Sequence, residues 1–344
     1  MGPKEYLRAL AQALEESPRR PGVPQGLPAR TPEGAESSGR ELEVRPAPQQ
    51  EPAWWRVAQV GERVLSLAGE LGLHASEPAS VGALPLRPYG WRALRAPGGG
   101  LAVAVHQGTP IFLQRMAGAV ACCFPSEERG EGLAFRVDEA SLQGALDSET
   151  EARQGFLDAL FAAAVLEDPA AAAPSLQSGA RARLADLLRR SAEVFLVARG
   201  LAPILVPSWP QGASWRTVAL GPGLQGEELV LAPRQALVAD LVAAQLTLAQ
   251  GGQEGLGVAL AFWGLAFYLC CLELLEIPTV AEAGPHHLPA LLRRHLLLQG
   301  LERDGGEQAR GALELARAME KVVFGLWERV KAAFLARLEA PGGS

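Results

Sequence analysis

Five histidines, four cysteines and a glycine-rich loop are the residues of this chain most able to do chemistry. His286 and His287 are adjacent, and His295 lies eight or nine positions on. Zinc needs three or four converging ligands, and two adjacent histidines point apart. Glu282 is near enough in sequence to join them, but Pro285 and Pro289 break any common helical face. No metal site is therefore expected. His74 and His106 stand alone, at an expected helix end and an expected strand end.

The cysteines form two adjacent pairs, Cys122–Cys123 and Cys270–Cys271, each inside an apolar run. Neighbouring cysteines suit neither a metal knuckle nor a C-x-x-C redox pair. They read as buried thiols of a protein kept in a reducing compartment, and the cytoplasm is the expected location. The loop Gly221-Pro-Gly-Leu-Gln-Gly226 matches G-x-G-x-x-G in letters. A phosphate site needs a helix N-terminus just after such a loop. Here Glu227 and Glu228 follow, then an extended run, so a hairpin turn is expected and no cofactor is implied. No nucleophile-elbow, P-loop or H-E-x-x-H signature occurs, and the three lysines are Lys4, Lys321 and Lys331. Carboxylate chemistry stays open without a named residue, so an enzyme with an unrecognisable site is one alternative reading.

Aromatic residues are the remaining candidates, as contacts for a partner or a membrane. Phe262, Trp263, Phe267 and Tyr268 lie in the run 256–272, which carries no charge over 17 residues. A bilayer-spanning helix needs about 20 apolar residues, and no Lys or Arg flanks this run to anchor it. A helix buried on all sides of a bundle is the expected reading. The alternative is a helical hairpin over 235–276 that leaves the bundle to enter a bilayer. Trp209 and Trp215 flank a proline-containing loop and read as a cover over the core or as an interface anchor.

The elements expected to position these residues are mostly helices. A short helix over 4–16 carries Leu7, Leu10 and Leu14 on one face and is marginal alone. Residues 17–53 hold eight Pro and four Gly and read as a disordered linker, with the short helix a docking peptide or a frayed end. A helix from Trp54 to Leu73 follows. Strands are then expected at 101–105, 111–113, 119–124 and 133–137, forming a small antiparallel sheet. A capping box of Ser148 and Glu151 is expected to start the next helix. The helix carrying Leu184 to Phe195 is expected to stop at Gly200 and Pro203. Extended segments are expected at 201–206, 215–220 and 228–231. Helices follow over 233–250, 254–276, 289–299 and 307–338. Arg189-Arg190 and Arg293-Arg294 read as wet edges of amphipathic faces.

The expected fold class is α+β, mainly α, with three parts. Residues 1–53 are the short helix and linker, 54–137 a helix and small β region, and 138–344 a mainly helical bundle that is able to pack on the middle part. Apolar residues make up 48% of the 344 residues, enough for a sizeable core. The formal net charge of −6 provides no basic field for a phosphate backbone, so nucleic acid is not an expected partner. The leading expectation is a non-enzymatic protein–protein interaction protein, an adaptor or assembly subunit, with a protein partner or a second copy of itself.

Overall fold

A computed structural model describes residues 1–16, 53–129, 132–174, 177–206, 209, 214–221, 223–254, 257–276, 288–304 and 307–339. The linker expected over 17–53 lies almost wholly outside the described residues, as do His286 and His287. The fold is α+β and mainly α: ten helices surround one five-stranded sheet among the described residues.

The chain opens with α1 (Pro3–Glu16) and α2 (Ala53–Glu70). Strands β1 (Ala79–Leu84), β2 (Trp91–Arg95) and β3 (Leu101–His106) follow, then α3 (Gly108–Cys122). A hairpin of β4 (Ser126–Arg129) and β5 (Gly132–Phe135) stands apart from the main sheet. Next come α4 (Glu139–Ser148), α5 (Thr150–Ala164) and α6 (Gly179–Leu205). A second hairpin, β6 (Ser214–Gly221) and β7 (Leu224–Val230), precedes α7 (Pro233–Gln253) and α8 (Gly257–Glu276). The last helices are α9 (Ala290–Asp304) and α10 (Glu307–Glu339).

The main sheet has the order β1-β3-β2-β7-β6. β1 runs parallel to β3, and the other pairs are antiparallel. The wholly antiparallel sheet expected within 54–137 is thus corrected in two ways: one pair is parallel, and two strands arrive from beyond residue 213. All six residues of β3 are buried. A central strand covered on both faces reads as a continuous apolar run, which explains Leu-Ala-Val-Ala-Val. Leu101, Val103 and Val105 enter the main core, while Ala102 and Ala104 enter a second, smaller cluster on the opposite face.

The strands expected at 111–113 and 119–124 are instead largely helix α3, which is buried along nearly its whole length. Apolar periodicity cannot separate a buried strand from a helix buried all round. The Gly221–Gly226 segment is the expected hairpin turn. α6 runs through Gly200 and Pro203 to Leu205, correcting the expected stop and the extended reading of 201–206. A Cβ at Gly200 would lie 2.7 Å from Val103 Cγ1, so glycine serves here to let the helix press on β3. The expected Ser148–Glu151 capping box does not form. Ser148 closes α4, whose start is capped by Asp138 accepting from the Ser141 N–H at 2.9 Å.

α8 is the centre of the bundle and packs against α6, α7, α9 and α10. Every residue from Ala261 to Cys271 is buried. A Cβ on Gly264 would lie 2.3 Å from Ser191 Cβ, which fixes how closely α8 and α6 approach.

Candidate functional site

Two arrangements stand out: an arginine–aspartate cluster at the meeting of four helices and the sheet, and the outer face of the sheet under α1.

Asp240 on α7 has no exposed surface. Arg199 on α6 donates Nε to its Oδ1 at 2.7 Å. Arg293 on α9 binds it through two nitrogens, Nε to Oδ2 at 2.6 Å and Nη2 to Oδ1 at 2.8 Å. Burial pushes the Asp240 carboxyl up, but the two guanidinium groups more than offset this and hold it below the usual range. Arg199 also lies over the Trp91 ring of β2, 5.2 Å from its centroid. Beside it, the buried Tyr89 hydroxyl is hydrogen-bonded to Tyr268 of α8, and burial followed by Tyr268 raises its pKa well above that of free tyrosine. The Tyr89 ring meets Phe112 edge-on at 5.2 Å.

Chemically this cluster is closed. The carboxylate is saturated by three charge-assisted hydrogen bonds, so it is a poor base, and Tyr89 stays protonated. Two surface grooves lie elsewhere, one along α10 at Arg310, Arg317 and Lys321 and another at Gly2 to Arg8. The cluster acts as a lock joining α6, α7, α9 and the sheet. Sequence reasoning placed Arg293-Arg294 on a wet edge, and the structure buries both. Arg294 donates Nη2 to Glu273 at 3.0 Å and also pairs with Glu320. A charged doublet between leucines carries no sign of the acidic partners waiting on other helices.

The other reactive types are also quiet. Burial raises the Cys123 thiol to about 12 and pushes Cys270 and Cys271 up as well, so none is a nucleophile at neutral pH. His106 is buried, with neither ring nitrogen in a hydrogen bond of normal geometry. Burial, and then the charge of Arg92, lowers its pKa to about 4. No group of three or more metal-ligating side chains occurs among the described residues.

The six nominated aromatics are not brought together at one exposed place. Phe262, Trp263, Phe267 and Tyr268 are all core residues of α8. Trp263 meets Phe124 and Phe135 edge-on, at 4.7 and 5.2 Å. Trp209 and Trp215 are partly buried and packed against the same core, and Arg95 lies 4.2 Å over the Trp215 ring.

The sheet's outer face is built differently. Tyr6, Leu7 and Leu10 of α1 pack on Leu84, Leu94, Ala96, Ala102, Ala104 and Leu220. That cluster is separate from the main core, and no residue of α2 to α10 belongs to it. Small residues shape the seat. A Cβ on Gly221 would lie 2.6 Å from Leu14 Cδ2, one on Gly226 3.0 Å from the Tyr6 hydroxyl, and one on Gly82 3.3 Å from Leu7 Cδ1. Gly100, at φ +93°, leaves room for the Pro3 ring, which a Cβ would approach to 2.9 Å. The α1 stripe was legible in the sequence as Leu7, Leu10 and Leu14 on one helical face, and the structure adds Tyr6 to it. Its seat was not, because the glycines come from three separate stretches of chain: Gly82, Gly100 and the Gly221–Gly226 hairpin.

No family model, curated protein or solved structure matches this chain.

Proposed function

We propose that this chain is a non-enzymatic protein–protein interaction protein, an adaptor or assembly subunit, and that its interaction surface is the outer face of the main sheet. One observation supports the reading above others: this face is contoured by Gly82, Gly100, Gly221 and Gly226 to seat an amphipathic helix, and its occupant, α1, belongs to a cluster of its own. A helix laid with its apolar stripe in a small-residue seat is a recurring mode of peptide recognition. Four free thiols suit a reducing compartment, and the cytoplasm is part of the proposal.

Size-exclusion chromatography with light scattering on the full chain tests the reading. A mass that rises above 36.3 kDa with concentration is expected. A strictly monomeric chain that retains nothing from its host's lysate would contradict it.

A further inference from the structure

We propose that α1 is exchanged between copies of this chain, so that α1 of one molecule seats on the outer sheet face of another. This rests on the interaction reading above and names the partner for that face: a second copy.

Three observations carry it. The seat fits α1 at the level of single atoms, and every copy encodes both the seat and its occupant. Releasing α1 leaves the main core intact, since Tyr6, Leu7 and Leu10 pack only within the smaller cluster. The main chain of residues 1–16 is tied to the sheet side by the Gly98 N–H donating to the Met1 carbonyl at 3.0 Å. Finally, 36 residues, 17 to 52, connect α1 to α2. A connection of that length reaches at most roughly 130 Å when extended. A chain of this size has a radius of gyration of roughly 20 Å, so the reach extends past the molecule's own surface to a neighbour.

Mass action sets the balance. Covalent connection holds α1 near its own seat at an effective concentration of about a millimolar or below, falling as the connection lengthens. Seating within one molecule therefore dominates in dilute solution. Seating between molecules grows as the protein concentration approaches that range, or where copies are held close together.

The geometry supplies the trap. A Cβ at Gly82 would lie 3.8 Å from Leu7 Cβ, the mean separation in a disulfide. Two full-length variants, Leu7→Cys and Gly82→Cys, are mixed under oxidised glutathione, which takes up the two electrons as the protein disulfide forms. The native thiols give little background, because burial keeps three of them protonated and Cys122 is raised too. Exchange predicts a 7–82 heterodimer in at least tenfold excess over either homodimer, in an amount that rises with protein concentration. A heterodimer share at or below the twofold excess of random pairing overturns the proposal.

The chain carrying both cysteines is the control for folding and placement. It should close within one molecule and stop forming mixed dimers. If it fails to close, α1 does not sit on this face and the proposal falls too. If α1 closes but never exchanges while the wild-type chain still associates by light scattering, this inference fails and the interaction reading survives. If nothing associates, both fail.

Discussion

Asp240 shows how a single residue holds this fold. Its carboxylate is enclosed, and its oxygens serve two guanidinium groups from different helices. Removing one partner of a buried charge network leaves the others uncompensated, which typically costs about 3–5 kcal/mol. Asp240→Ala is expected to lower the urea-unfolding free energy by that order; a loss below about 1 kcal/mol would mean the arginines find other partners. His106 yields a pH dependence. Its folded pKa of about 4 lies below the ordinary value of 6.5. The unfolded chain therefore binds the proton first as pH falls. The stability is complete above pH 6.5 and is lost as pH drops toward 4. His106→Leu is expected to flatten unfolding stability between pH 6.5 and 5 relative to wild type, and identical slopes would refute the assignment. Neither role was legible in the sequence, where Asp240 is one acid among 38 Asp and Glu residues. Burial is decided by distant elements, and residue type alone points arginine and aspartate toward water.

At the scale of elements, close approach is set by absent side chains. α8 meets α6 at Gly264 against Ser191, and α6 meets β3 at Gly200 against Val103. Gly264→Ala and Gly200→Ala are each expected to cost about 1–3 kcal/mol through overpacking, despite the better helix propensity of alanine. Thermal unfolding of the two variants checks this, and a stabilised variant would show that the contact yields. Insertion of the 235–276 hairpin requires α8 to leave four neighbouring helices and the Asp240–Arg293 pair to break. Dye-filled anionic vesicles at neutral pH are expected to stay intact with the wild-type chain, and leakage would favour the hairpin reading.

Helices were the legible part of the sequence because their apolar spacing is local. The starts of α1, α7 and α10 fall close to where Lys4, Pro233 and Glu307 suggested. α3 reads as strands because it is buried along nearly its whole length, and Gln114 and Arg115, side by side, are too few polar residues to reveal its period. The sheet was half legible. β6 and β7 were visible as extended segments, but the pairing of β7 with β2 spans more than 130 residues, and Leu94 opposite Glu228 leaves no trace in either segment.

Among the described residues two apolar clusters of very different size occur, and the boundary between them is the sheet. The large cluster holds α2 to α10 and the inner sheet face together. The small one rests chiefly on Tyr6, Leu7 and Leu10, each worth about 1.5–3 kcal/mol of burial before the ordering of a helix that is marginal alone. α1 should therefore open at a lower free energy than the bundle. Leu7→Asp with Leu10→Asp is expected to release α1 and leave the bundle's unfolding midpoint nearly unchanged. A matching collapse of the bundle would show that the two clusters form one cooperative unit.

Native-state hydrogen exchange of the wild-type chain tests the central claim most directly, because it asks whether the occupant of the sheet face opens by itself. The amides of α1 are expected to exchange at least about 100-fold faster than those of α8, with little dependence on denaturant, as in a local opening. Exchange of α1 and α8 at one common rate, with the same steep denaturant dependence, would contradict the account and make α1 a permanent part of the core.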